Sequence, residues 1–160
     1  MPNFHVGETV VHWNYGLGEV IKMDVQFIHD REMLCYVVKI HELTIWVAAD
    51  DPNISSLRKP TPENQFTDLF AILKSDSEPL PQDRFDRKAY LTERMKDGRL
   101  ASICRVIRDL ISFGHEKKLN DNDKTTLERA ERMLVNEWEF SLSVPRTQAH
   151  AEMMSLLKPA

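Results

Sequence analysis

The chain has only two cysteines, five glycines and no long apolar run in its 160 residues. Cys35 and Cys104 lie far apart, each within an apolar stretch. That placement speaks against a disulfide framework and against a cysteine zinc site, and suits a reducing, cytoplasmic setting. The six histidines, at 5, 12, 29, 41, 115 and 150, show none of the close spacings of a metal motif. No metal and no other cofactor is expected. The longest clean apolar stretch, Leu43 to Ala49, is interrupted by Thr44 and falls far short of the roughly 18 residues of a membrane span. The opening MPNFHVGE lacks a basic segment followed by an apolar one, so no signal peptide is expected. Five glycines and eight prolines are too few for a low-complexity chain. What is present is ordinary for a globular protein: 42% apolar, 29% charged and 8% aromatic residues, enough for one domain or two small ones.

The net charge of −4 conceals a division along the chain. Residues 1–58 carry four basic residues (Lys22, Arg31, Lys39, Arg58) and eight acidic ones, whereas residues 59–160 carry 17 of each sign. Within the second part, Arg84 to Arg108 holds eight basic and three acidic residues. A local basic surface matters more to a phosphate backbone than the overall sum. The plain alternative is that these charges line solvated helix faces.

The hydrophobic period also changes between the halves. Glu8–Trp13, Gly18–Ile28, Met33–Ile40 and Leu43–Ala48 are rich in β-branched and aromatic residues. Turn signals separate them at Asn14-Tyr15-Gly16, His29-Asp30-Arg31, His41-Glu42 and Asp50-Asp51-Pro52, predicting four antiparallel strands in a small barrel or strongly bent sheet. After Pro60 the period becomes helical. Thr61-Pro62-Glu63 predicts a helix start carrying Phe66, Leu69, Phe70 and Leu73 on one face. Further helices are predicted over Arg84–Lys96, ended by Asp97-Gly98, and Leu100–Phe113, ended by Gly114. A long fourth is capped by Asn120, with Leu127, Ala130, Leu134 and Trp138 inward, and a short last one covers Ala149–Leu157. The reading is α+β: residues 1–58 a β unit, residues 59–160 an all-α unit of about five helices, joined at Asp50–Pro60.

Little here points to catalysis. Tyr15-Gly16-Leu17-Gly18 contains G-x-G, but a dinucleotide fingerprint needs a further glycine and a helix, and Glu19-Val20-Ile21 continues as strand. His12 alternates with apolar residues as a half-buried strand residue does. No serine or cysteine stands in a nucleophile elbow, and the carboxylates are scattered. The basic segment is more informative. Arg84, Arg87 and Lys88 are neighbours at i, i+3 and i+4, sharing a face at a helix start, where backbone N–H groups also favour phosphate. Phe85 lies among them. Two readings stand side by side: a wedge against DNA bases, or a hydrophobic staple that packs its own helix.

Phe4-His5-Val6-Gly7-Glu8-Thr9-Val10-Val11-His12, followed by Tyr15-Gly16-Leu17-Gly18-Glu19-Val20-Ile21, resembles the CarD/CdnL family of bacterial transcription regulators. So do Asp97-Gly98-Arg99-Leu100, the run Val106-Ile107-Arg108-Asp109-Leu110, and Leu119-Asn120, Lys124 and Ala130-x-x-x-Leu134. The opening motif is shared with the polymerase-interacting module of transcription-repair coupling factors; the helical run makes the resemblance more specific. The resemblance implies a Tudor-like N-terminal barrel that binds the β subunit of RNA polymerase, and a helical domain that touches promoter DNA at the upstream edge of the bubble. A tryptophan wedge beside basic residues there stabilises the open complex without reading sequence.

Mapped onto this chain, the resemblance makes Arg84, Phe85, Arg87, Lys88, Arg94 and Arg99 the DNA-binding candidates, and Asp24 and Trp46 the polymerase-binding ones. Two departures stand out. The family's wedge motif is W-S-x-R, and ungapped counting back from Gly98 puts Arg84 at the tryptophan with Phe85 one residue along. The family's two polymerase-contacting arginines fall near Asp24 and at Trp46, neither of them basic. Trp46 is then either an apolar anchor or a core residue. The implied protein is a non-enzymatic, monomeric, cytoplasmic regulator of the nucleoid, without membrane contact. A divergent protein-binding module with no DNA role, and an enzyme of unknown class, are the alternatives.

Overall fold

The computed structural model describes residues 4–49 and 56–159. Two compact units divide the chain, residues 1–60 and 61–160. The architecture is α+β, with a sheet in the first unit and helices in the second.

The first unit is a five-stranded antiparallel sheet of β1 (Thr9–His12), β2 (Gly16–Ile28), β3 (Arg31–Ile40), β4 (Leu43–Ala48) and β5 (Leu57–Arg58), in the order β4-β3-β2-β1-β5. β5 corrects the four-strand expectation. Its two residues pair with Val11 and His12 inside the segment read as a join. Of that join, residues 50–55 lie outside the described residues, including the turn expected at Asp50-Asp51-Pro52. β2 and β3 meet at His29 and Asp30, both at positive φ, the backbone of a two-residue hairpin turn with the twist of the strands it joins. A bulge between Val20 and Lys22 bends β2. Gly18 is dictated by close approach: a Cβ there would lie 2.8 Å from the Lys39 carbonyl oxygen and 2.9 Å from Val38 Cγ1. The sheet curls so that β4 and the β1–β5 end share a groove of about 350 Å³. Val10, Val20, Tyr36, Val38, Ile40 and Leu57 fill the concave side.

The second unit opens with a 3-10 turn (Glu63–Gln65), then α1 (Phe66–Lys74), α2 (Arg84–Lys96), α3 (Leu100–Glu116), α4 (Asp121–Leu142) and α5 (Arg146–Leu156). α3 is the central helix: Ile103, Cys104, Ile107 and Leu110 are fully enclosed among Phe66, Leu73, Leu91, Leu134 and Trp138. Phe66 and Phe70 both meet the Trp138 ring, with centroids 6.1 and 4.9 Å away. Burial on this scale, at about 25 cal/mol per Å² of apolar area, is what holds short helices together.

Helix ends were the least legible part. Gly114 does not stop α3, which runs on to Glu116; a Cβ at Gly114 would lie 3.3 Å from Leu119 Cγ. Gly98 does stop α2, as expected, at φ 68°, where its N–H reaches the Met95 carbonyl. Pro62 sits at the cap position rather than inside the first turn, and α5 begins at Arg146, before the expected Ala149. Asn120 caps α4 as expected, in a reciprocal capping box with Asp123.

Candidate functional site

The start of α2 is built by its own cap. Asp83 accepts from the Phe85 and Asp86 backbone N–H groups, both at 3.0 Å. This fixes the first turn and aims Phe85 outward. Phe85 is 68% exposed, and the Arg84 guanidinium lies 4.8 Å from its ring centroid. The staple reading of Phe85 therefore fails: a staple must be covered. Lys88, one turn on, is exposed. An exposed aromatic flanked by two exposed cations at a helix start has the chemistry of a base wedge held near phosphate-binding groups.

Arg87 is not part of that surface, and the expectation that it shares a face with Arg84 and Lys88 is corrected. It is 4% exposed. Its Nε and Nη2 donate to the two Asp123 oxygens, each at 2.9 Å, and Nη1 donates to the Pro81 and Gln82 carbonyls at 3.1 Å. Its guanidinium also lies 4.6 Å from the centre of the Phe113 ring. The reason is periodicity: Arg87, Leu91 and Met95 are spaced four apart and form the buried face of α2. A guanidinium there must find an anion, and the first turn of α4 supplies Asp123. Arg87 thus shapes the site by tying the 81–82 loop to α4.

Arg94 lies near the other end of α2, about 15 Å along its axis from Arg84 at 1.5 Å per residue, and Arg99 lies beyond that end. Arg94 is half-buried with its guanidinium 5.0 Å from the centre of the Tyr90 ring; Arg99 is exposed at the N-cap of α3. The structure brings Lys117, which sequence reasoning passed over, to the Gln82 side chain beside the α2 cap. The Lys117-Lys118 pair was the available signal, but nothing in the sequence placed it near residue 82.

In the sheet unit, Trp46 projects from β4 and is 47% exposed, so it is not a core residue. It lines the groove with His12, Tyr15 and Ser56. His12 is buried, its Nδ1 accepts from the Asn14 and Tyr15 backbone at 3.0 and 3.3 Å, and its ring stacks on Tyr15, a turn-holding role. Asp24 accepts from Gln26 Nε2 at 3.0 Å and from the Val25 N–H at 2.9 Å, facing Cys35 across the ladder. Burial, with the Asp24 charge added, pushes the Cys35 thiol up. Val25 and Phe27, on the far half of β2, are exposed apolar residues that the sequence reading did not single out. Among the described residues no cluster of three or more His, Cys, Asp or Glu is placed to hold a metal, and no helix is long and apolar enough to cross a membrane.

Comparison with known proteins bears on the helical unit most directly. The family model for the CarD C-terminal domain matches residues 68–154, from α1 to α5. Across most of its length, the chain is similar to a Bacillus subtilis (strain 168) protein named "Putative transcription factor YdeB". The two are 22% identical over 147 residues, covering 91% of this chain and 96% of that protein.

Proposed function

The chain belongs to the CarD family, a family of transcription regulators, and from that we propose that it acts by two contacts: the sheet unit with RNA polymerase, the helical unit with promoter DNA. The observation that carries the DNA half is the exposed Phe85 between Arg84 and Lys88 at the start of α2. A large apolar side chain held beside cations suits a minor-groove wedge that stabilises separated strands. Phenylalanine fills the wedge role by apolar contact alone, because it lacks the indole N–H donor of tryptophan. No Asn or Gln lies between Arg84 and Lys88 to read base edges in pairs, so the contact is indifferent to sequence.

The polymerase half rests on the sheet face around Trp46. With no arginine at the two family positions, a bidentate arginine–carboxylate contact is not available there. An exposed tryptophan bordering a groove supplies an apolar anchor instead. The β subunit is the proposed partner, the unit of action is a monomer, and the effect is a population shift: binding the opened promoter better than the closed one favours opening without catalysis.

The second reading, a protein-binding module with no DNA role, takes its support from the acidic balance of residues 1–58 and the exposed Val25 and Phe27. Measuring promoter-complex lifetime and its salt dependence with and without the full chain separates the two. A DNA contact lengthens the lifetime by an amount that shrinks as salt rises. A lifetime that does not respond to the protein defeats the DNA half.

A further inference from the structure

A second cluster of polar side chains lies in the helical unit, apart from the start of α2. Arg108, Ser112 and His115 follow one another on α3 at spacings of four and three, hence on one side of the helix. Together with Ser75 and Ser77 from the turn after α1, and with Lys158, they line a cavity of about 220 Å³.

Arg108 is the centre of the cluster, and it differs from Arg87 in one respect. Arg87 has a partner for Nε, Nη1 and Nη2 alike. Arg108 is also buried, at 8% exposed; its Nε donates to Asp109 Oδ1 at 2.9 Å and its Nη1 to Ser75 Oγ at 2.7 Å. Its Nη2 is buried with no partner among the described residues. Asp109 does not reach it, and Oδ1 of that carboxylate already receives the Glu78 backbone N–H at 2.9 Å. A buried guanidinium nitrogen without an acceptor is costly and rare in a native fold.

Apart from Asp76, the surrounding polar side chains carry donor hydrogens. Ser77 Oγ lies 2.8 Å from Ser112 Oγ and donates to it, which leaves the Ser112 proton free to point into the cavity. His115 carries a ring N–H. Lys158 stands at the mouth, where it is paired with Asp76, and both partners are largely exposed. Such a pair is weak and exchanges readily. Asp76 is the carboxylate that lines the cavity, and Lys158 offsets its charge.

We propose that this cavity binds a compact tetrahedral oxyanion, the phosphoryl head of a small phosphate monoester. The geometry favours a tetrahedral group over a planar carboxylate. A carboxylate binds arginine best through two parallel N–H groups from neighbouring nitrogens; on Arg108 the Nε–H is taken by Asp109 and one of the two Nη1 hydrogens by Ser75. What remains is Nη2 with the other Nη1 hydrogen, a hydroxyl, an imidazole and an ammonium, on separate side chains from α3 and the tail. A phosphoryl group, with three terminal oxygens spread in space, can meet more of these separate donors at once than a two-oxygen plane can. This assignment is independent of the DNA and polymerase reading, because none of these residues belongs to either proposed contact.

The test is titration of the ¹⁵N-labelled full chain with inorganic phosphate at constant ionic strength, with chloride as control. The Arg108 side-chain Nε–H and the Ser77 and Ser112 amides should shift together and saturate. His115→Ala should weaken binding about tenfold, equivalent to about 1.4 kcal/mol. Ser112→Asp, which sets a carboxylate in the cavity one helical turn from Arg108, should abolish it while the rest of the spectrum stays folded. Absence of saturable shifts in the unaltered chain overturns the site and leaves the cavity to water. Equal shifts in both variants also overturn it, as loose association of the ion elsewhere. Dimethyl phosphate or duplex DNA producing the same shifts would make the ligand a phosphodiester and overturn the monoester assignment.

Discussion

Asp123, in the first turn of α4, receives two hydrogen bonds of 2.9 Å from one guanidinium, that of Arg87 on α2. The pair is almost fully buried, with side-chain exposures of 5% and 1%. Asp123 also receives the Asn120 backbone N–H at 3.0 Å, so a single carboxylate closes the α4 cap and anchors the start of α2. Breaking such a pair leaves an uncompensated charge in the interior. Arg87→Ala is expected to cost about 3–5 kcal/mol of stability, measured by urea unfolding. Arg87→Lys should also be destabilising, since an ammonium cannot reproduce the bidentate contact, yet folded protein should keep the salt slope of DNA binding. A slope lowered in folded Arg87→Lys would return Arg87 to the interface.

Phe85 should separate function from stability. Its ring is mostly in solvent, so Phe85→Ala should move the unfolding midpoint little, unlike a core Phe→Ala at about 3–5 kcal/mol. The same variant should shorten the lifetime of the open promoter complex. Phe85→Trp should fold normally and preserve or lengthen that lifetime, because there is space for the larger ring and a donor is gained. A large stability loss in Phe85→Ala would mean the ring packs more than its exposure allows.

Lys88 is an exposed cation and Arg87 a buried, paired one, and salt titration reads that difference. Lys88→Ala should reduce the slope of log affinity against log salt by about 0.9, the value for one duplex phosphate contact. Affinity should fall alike on unrelated sequences. An unaltered slope would leave Lys88 a solvated surface residue.

Trp46 carries the proposed apolar contact of the sheet unit. Trp46→Ala in the full chain should weaken polymerase binding by more than about 1 kcal/mol, as loss of an interface anchor does. Circular dichroism should remain that of the folded protein, since nearly half the residue is exposed. Unchanged affinity would move the interface elsewhere, with Phe27 (72% exposed) the next residue to replace.

Cys104 is inert by position. Burial pushes its thiol up to about 12, with the Glu137 charge adding to the rise and Arg105 and Arg108 opposing it. The thiolate is the reactive form, so Cys104 should resist alkylation near pH 8 in the folded chain and react at once in denaturant. The linkage has a definite sign. The folded pKa lies above the unfolded one, so the contribution to stability is complete below the ordinary thiol value and is lost as pH climbs from there toward about 12. Alkylation of native Cys104 at pH 8, at the rate of the unfolded chain, would contradict this.

The sequence by itself determined the element types. Alternating β-branched residues up to Ala48 and the helical spacing after Phe66 are local patterns, and local patterns follow from backbone period alone. The α+β order, the Asp97-Gly98 stop and the Asn120 cap were readable for that reason. Tertiary structure decided what each charged or aromatic side chain does. Arg84, Arg87 and Lys88 are chemically alike on paper. Asp123, 36 residues further on, draws one of them inside and leaves the others in water. The spacing Arg87-Leu91-Met95 hinted at an inward face, but a charge at its head is meaningful only once a buried carboxylate is known to stand opposite. Phe85 had two local readings of equal merit until the Asp83 cap turned its ring outward. The pocket around Arg108 had no linear trace at all, because the turn after α1, the middle of α3 and the tail near Lys158 meet only when the helices pack. Periodicity is a property of the chain; burial, pairing and unmet donors are properties of what the chain is folded against.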